Sequence, residues 1–367
     1  MNTNEINSYL IILIYGSLVL LSFLLITNPL KVNRKANFWF GIFLFLWSTF
    51  WFEEIFVLTK INLLNTTSFV GVRFFQFLTP LFFYFSVVYY TNPDFKFKKT
   101  DLKYLLLPII FLTGLIAIQL NINVNLIENL LNILLIIYAI YFTIFSYLKI
   151  KYHKKKIELF SSNTGEINLN WIEYIIIALF ILSIFIGIYN ILYVAIDLNL
   201  FANIVSLVII FFVAFNTLKQ KEIFLLNENQ RNQIINTNQE IAITKRKIIP
   251  DQDLETIKTK LLHLMKNQEP FLDPELTLVG LAELTDISLH QLSYVLNSGF
   301  NENFFLFVNR YRVEKVKELL LSKEKNHLSI MGIAFESGFN SKTSFNTTFK
   351  KISSQTPSEF KKRSSTL

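Results

Sequence analysis

LSIMGIAFESGFNSKTSFNTTFKKIS, residues Leu328–Ser353, decides how the C-terminal part of the chain folds. Ile330, Ile333 and Ala334 recur at helical spacing and line one face of a first helix. Gly338 follows, and glycine can take the positive φ that a tight turn between two helices needs. Ser341 is placed to cap a second helix whose inward face is Phe345, Phe349 and Ile352. With that stripe buried, Lys342, Thr343, Asn346, Thr347 and Lys350 share the opposite side. Short hydrogen-bonding side chains bracketed by lysines suit a helix in the major groove of DNA, where some reach base edges and the cations meet phosphates. A plain solvated face would show the same residue types, so one such helix alone does not discriminate.

Working upstream, the pattern recurs. NENFFLFVNRYRVEKVKELLLS (301–322) reads as one continuous helix of about 20 residues, ~30 Å long at 1.5 Å per residue. Before it, LTLVGLAELTDISLHQLSYVLNSG (276–299) holds a short helix ending near Thr285, a turn at Asp286 and a second helix opened by Ser288. Leu292, Val295 and Leu296 form the apolar stripe of that second helix, which leaves His290, Ser293 and Tyr294 as its exposed positions. Two helix-turn-helix units held apart by a rigid helix match successive major grooves about one DNA turn apart.

The run Ala334-FES-Gly338-Phe339-NSKTS-Phe345-NTT-Phe349-Lys350-KISSQT-Pro357 resembles the C-terminal signature of AraC/XylS-type transcription regulators. Its spacing, A-xxx-GF-xxxxx-F-xxx-F-[KR]-xxxxxx-P, is met at every position. LAELTDISLHQLSYVLN and FVNRYRVEKVKELL are similar to the family's first helix-turn-helix and linker helix, so the resemblance spans about Leu276 to Lys362. It implies a monomeric module with two helix-turn-helix units bound to double-stranded DNA. RNA polymerase is the protein such a regulator would meet. Carried over position by position, the reading residues would be His290, Ser293 and Tyr294, then Lys342, Thr343, Asn346 and Thr347, with Lys350 at the family's basic position. Phe360 stands where the family commonly has Tyr, and the first reading helix is short of Arg and Lys.

The rest of the chain has a different composition. Of 367 residues, 52% are hydrophobic and only 17% charged, against roughly 25% charged in an ordinary soluble domain. The apolar surplus lies before about Leu218, in seven runs of about 20 residues, enough to cross a hydrocarbon core of ~30 Å. They are roughly 8–27, 37–58, 68–91, 102–120, 126–148, 171–196 and 198–218. None alternates in polarity as a barrel strand would. Lys and Arg number twelve in and beside the first, third and fifth loops (Lys31, Arg34, Lys35; Lys96, Lys98, Lys99, Lys103; Lys149, Lys151, Lys154, Lys155, Lys156), against Lys60 alone on the other side. Positive charge stays in the cytoplasm, which puts the N-terminus outside and the C-terminal half inside a bacterial inner membrane. The first span has no basic n-region or small-residue cleavage site and does not read as a removable signal peptide.

The expected fold is therefore all-α: a seven-span transmembrane bundle (1–218), a polar tether (219–253) and a soluble two-unit DNA-binding domain (254–367). The segment from about Asp251 is expected to bind DNA by itself. Ionisable residues inside spans are functional suspects. Glu53 and Glu54 in span two and Arg73 in span three are expected at one depth near the outer surface, with Glu128 and Asp197 at span ends and Asn190 and Asn203 slightly deeper. Two readings stay open: an ion pair that fixes helix packing, or an outward pocket for a small-molecule or envelope ligand. Pro80 and Pro108 are candidate kinks.

Chemistry classes fall away in turn. With no cysteine there is no disulfide, thiolate nucleophile or Cys-ligated metal site. His153, His263, His290 and His327 lack ligand spacing, and no glycine sits in a phosphate-cradling motif. No cofactor, metal or catalytic residue is expected. The reading is a membrane-tethered transcription regulator that couples an envelope or extracellular signal to gene expression. The rival is a membrane receptor whose cytoplasmic bundle binds a protein instead of DNA. Charge does not choose between them, since both halves carry a formal +4 (14 against 10, then 21 against 17). Oligomeric state is not legible in the pattern.

Overall fold

A helix satisfies every backbone group within its own segment, which is what an apolar run of 20 residues requires. The computed structural model describes residues 3–60, 66–165, 167–192, 199–220, 223, 249–325 and 327–364. Among them every regular element is helical, and the one strand-like feature is an antiparallel bridge between Ser161 and Thr277. The chain divides into two units, one of Met1–Lys151 with Leu169–Ile223, the other of Tyr152–Asn168 with Phe224–Leu367.

The first unit contains α1 (Thr3–Thr27), α2 (Arg34–Ser48), α3 (Phe52–Thr59), α4 (Thr66–Thr91), α5 (Leu106–Gln119), α6 (Val124–Ile157), α7 (Asn170–Leu192) and α8 (Asn199–Lys219). A single 3-10 turn, Thr49–Trp51, joins α2 to α3. Among the described residues, six stretches are long and apolar enough to cross a membrane: Glu5–Thr27, Arg34–Thr59, Val70–Thr91, Lys99–Gln119, Val124–Ile157 and Leu200–Lys219. Helix α1 packs on α2 and α8, α2 on α4, and α4 on α5. Phe77 on α4 stacks on Phe111 of α5 and Tyr138 of α6, with ring centres 4.0 and 4.2 Å away. On the other side of α6, Ile133, Ile136, Ile137, Ile140 and Ile144 are all exposed. Pro80 lies inside α4, whereas Pro108 sits in the first turn of α5, where a missing N–H breaks no bond.

Helix α6 runs well past the expected end near residue 148 and takes in the basic run Lys149–Lys156. Lysine is a good helix former, and cations suit a helix C-terminus. Ile150, His153 and Ile157 form a buried stripe along that extension. Residues 152–168, expected to belong to the membrane half, cluster with the C-terminal unit. Most of the expected tether, 221–222 and 224–248, lies outside the described residues.

The second unit contains α9 (Asp251–Asn267), α10 (Leu278–Thr285), α11 (Leu289–Tyr294), α12 (Phe304–Leu321), α13 (Ile330–Glu336), α14 (Lys342–Ser353) and α15 (Pro357–Ser364). Its described residues form two hydrophobic cores, and α12 belongs to both. Its N-terminal part supplies Phe304, Phe307 and Val308 to a core shared with Leu261, Leu281, Leu292 and Val295. Its C-terminal part supplies Val313, Val316 and Leu320 to a core with Ile333, Ala334, Phe345 and Phe349. Each pair of short helices thus has its own apolar centre, and α12 is the strut between them.

Candidate nucleic-acid interface

The second helix pair is built as its sequence spacing requires. Ser329 caps α13 by accepting from Gly332 N at 3.0 Å, and Ser341 caps α14 by accepting from Ser344 N at 3.2 Å. Each cap satisfies one of the free N–H groups of a first turn. Between the helices, Gly338 has φ +88°. A Cβ there would overlap the carbonyl oxygen of Phe271 and stand 3.0 Å from Arg312 Nε, so this turn needs glycine for both conformation and space.

Phe345 and Phe349 are fully buried, at a gain of about 2–3 kcal/mol each. That anchoring turns Lys342, Thr343, Asn346, Thr347 and Lys350 outward, and all five are exposed. Asn346, Thr347 and Lys350 line a shallow concavity with Lys351 and Thr356. Lys351 belongs to the run of basic residues that follows Gly338 in the sequence, whereas Thr356 is not singled out there. The signal for Thr356 is Thr356-x-x-Glu359, which is a capping box. Thr356 N donates to Glu359 Oε2 at 2.7 Å, and Glu359 N donates to Thr356 Oγ1 at 3.3 Å. The Thr356 bonds hold the Glu359 carboxyl below its ordinary range. Helix α15 ends in Lys361, Lys362 and Arg363, so the edge beside the concavity is basic.

The first helix pair is less open. Thr277 caps α10, Asp286 makes the turn at φ +53°, and Ser288 with Gln291 forms a capping box at the start of α11. The exposed face expected for α11 is corrected, however. Ser293 is 2% and Tyr294 7% exposed, and only His290 of the three is half-exposed. Helix α11 has six residues and passes at Val295–Gly299 into a wider π turn. The stripe predicted from Leu292, Val295 and Leu296 broadens there, and Tyr294 joins the first core.

Arg312 was not singled out in the sequence, yet it holds this unit together. It is 1% exposed. Its Nε donates to Phe271 O and its Nη2 to Asp273 O, both at 2.7 Å. Further bonds run to Ser162 Oγ at 3.1 Å and Ser162 O at 3.3 Å. Burial pulls its pKa down to about 10, so the guanidinium stays charged at neutral pH. Four backbone and hydroxyl acceptors around a buried cation tie loops from distant parts of the sequence to α12.

In the first unit the anticipated ion pair has a different partner. Arg73 Nη1 lies 3.3 Å from Glu128 Oε1, and Arg73 Nη2 donates to Asn132 Oδ1 at 3.1 Å, which joins α4 to α6. Glu53 and Glu54, the expected partners, are exposed in the first turn of α3. Asn203 accepts from Trp51 Nε1 at 2.9 Å and donates to Asn7 Oδ1 at 2.8 Å, linking α8 to the α2–α3 turn and α1. Asp197 and the side chain of Asn190 lie outside the described residues. Among the described residues, no cluster of His, Asp and Glu could hold a metal ion.

Residues 281–363 match the family model of a helix-turn-helix domain, of the AraC type. The match covers less than a quarter of the chain, begins within α10, and includes α11, the strut and the second helix pair. This family is one of DNA-binding transcription regulators. No curated protein and no solved structure matches the chain.

Proposed function

We propose that this protein is a membrane-tethered, sequence-specific transcription regulator that converts an envelope or extracellular signal into altered DNA binding. The observation that carries the DNA half is the exposed face of α14, where Lys342, Thr343, Asn346, Thr347 and Lys350 stand out over a buried Phe345/Phe349 stripe within the matched domain. Asn346 has an amide that can bond an adenine edge in two places, and the lysines neutralise phosphates on either side. With Ser293 and Tyr294 buried, discrimination falls mainly to α14. His290 keeps a part at the edge of α11.

The membrane half rests on length and exposure. Among the described residues, six helices can span a bilayer by length and apolarity, and α7, at 23 residues, is our seventh span. Rows of exposed Ile, Leu and Phe such as those on α6 form far larger apolar patches than a surface in water tolerates. Lipid is the solvent that suits them. The twelve-to-one loop asymmetry of Lys and Arg then orients the C-terminal unit to the cytoplasm, where DNA and RNA polymerase are.

The test uses the full chain in lipid nanodiscs and duplexes recovered from a random library. Affinity should fall steeply with salt, with a log–log slope of about −0.9 per phosphate neutralised. Asn346→Ala should cost roughly 1–3 kcal/mol and relax preference at one base pair, whereas Lys350→Ala should weaken all sequences alike. A flat salt response, or equal affinity for the scrambled duplex, would refute the DNA reading and favour a protein partner.

A further inference from the structure

The segment between α6 and α7 leaves the membrane half and returns to it within some twenty residues, yet its middle is part of the C-terminal unit. Ile157 and Phe160 sit in the core of the first helix pair. Ser161 bridges to Thr277, Leu278 N donates to Phe160 O at 3.1 Å, and Ser162 Oγ donates to Leu276 O at 2.6 Å. All three contacts lie at the start of α10.

The same few residues also hold the strut. Phe305 N donates to Glu158 O at 3.1 Å, and Asn303 Nδ2, from the cap of α12, donates to Glu158 Oε2 at 3.2 Å. Asn309 Nδ2 donates to Ser162 O at 2.8 Å, beside the two bonds from Arg312. They reach the second pair as well. Glu158 Oε1 is 3.4 Å from Lys351 Nζ on α14, and Gly165 leaves so little room that an added Cβ would stand 3.2 Å from the capping Ser341 Oγ. One short peptide therefore touches the first pair, the strut and the flank of the reading helix, while Lys342, Asn346 and Lys350 stay exposed.

We propose that Glu158–Gly165 is the transmission element of the protein, a wedge built into the DNA-binding unit through which displacement of α6 and α7 alters the arrangement of the two helix pairs. Two observations make it more than a surface loop. Its backbone and side-chain polar groups are spent on Arg312 and Asn309, both 1% exposed, so it cannot shift without disturbing the strut. And α6, which carries it, is one unbroken helix from Val124, next to the Glu128–Arg73 pair, to Ile157 at the wedge. A continuous helix passes on an axial or rotational movement, whereas a coil would absorb it.

The absence of native cysteine makes the test direct. Spin labels on Glu283→Cys in α10 and Ser358→Cys in α15, which packs on the second core through Phe360, are both exposed and report the distance between the first helix pair and the second core in the full chain in nanodiscs, with no DNA present. Removing the α4–α6 pair by Arg73→Ala should shift that distance distribution. Flexible Gly/Ser spacers inserted after Lys151 and after Asn168 should abolish the shift while the amides of Leu278 and Phe305 stay protected from exchange. If the spacers unseat the wedge, that protection is lost and the distribution must broaden. An Arg73→Ala shift that is absent, or equal with and without spacers, overturns the proposal, as does an unchanged distribution once protection is lost. The second readout, affinity for the selected duplex, rests on the DNA reading and should change about fivefold or more in step with the distance. Because the distance is read without DNA, failure of DNA binding and failure of transmission are distinguishable.

Discussion

Gly338→Ala tests the turn between α13 and α14, on which the position of α14 depends. In the left-handed region a Cβ costs about 1–2 kcal/mol, and at φ +88° that penalty is unavoidable. The new methyl would also overlap Phe271 O, the acceptor of a 2.7 Å bond from Arg312 Nε. Displacing a hydrogen bond to a charged group costs roughly 1.5–3 kcal/mol. Alanine restricts the unfolded chain and returns about 0.4–1 kcal/mol, which leaves a net loss of about 2–4 kcal/mol. All four tryptophans (Trp39, Trp47, Trp51 and Trp171) lie in the first unit, so intrinsic fluorescence would not report the loss. A thiol at Ala334, 0% exposed in the second core, would. With labelling limited by the open population, Gly338→Ala should speed modification of Ala334→Cys roughly 30- to 700-fold. Gly280→Ala is the control, because its Cβ would meet Thr277 Oγ1 at 3.6 Å and Leu276 Cδ1 at 3.9 Å, both ordinary contacts, inside α10. A Gly338→Ala rate within about threefold of the parent would refute the reasoning, since neither the left-handed penalty nor the lost Arg312 bond could then be real.

Phe349→Ala should destabilise the second core by roughly 3–5 kcal/mol in the same thiol assay, while Phe335→Ala, at a side chain 52% exposed, should change little. Glu359→Gln should be less stable than the parent at pH 7. The folded pKa is depressed, so the contribution is present above the ordinary carboxylate value of about 4.3 and is lost as pH falls through the lower folded value. The gap between the two proteins, followed by helical circular dichroism on acidification, should therefore close below pH ~4. A cysteine at Asn121, in the loop between α5 and α6, should react with an impermeant maleimide on intact cells, and one at Lys96, between α4 and α5, only after permeabilisation. The reverse pattern would overturn the orientation.

The wedge also changes what a fragment can be. A chain beginning near Asp251, expected from composition to be a complete domain, lacks Ile157 and Phe160 of its first core and the Ser162 partner of Arg312. Full-length protein is therefore the material for the DNA experiments.

Local physics was legible in the residues. The apolar runs, the caps at Ser288 and Ser341, the turn at Gly338 and the Phe345/Phe349 stripe all depend on neighbours within a few positions, and each stands where spacing put it. The tertiary structure alone decided the long-range matters. Arg73 chose Glu128 because α4 packs beside α6 at that depth, a choice that lies 55 residues away in sequence. Ser293 and Tyr294 went inside because a π turn widened the buried arc of a six-residue helix. Ser162 met Arg312 across 150 residues because a buried guanidinium must find acceptors wherever the packed chain presents them. Period and capping act through a turn or two of backbone, whereas the partner of a buried charge is settled only when distant segments have been brought together.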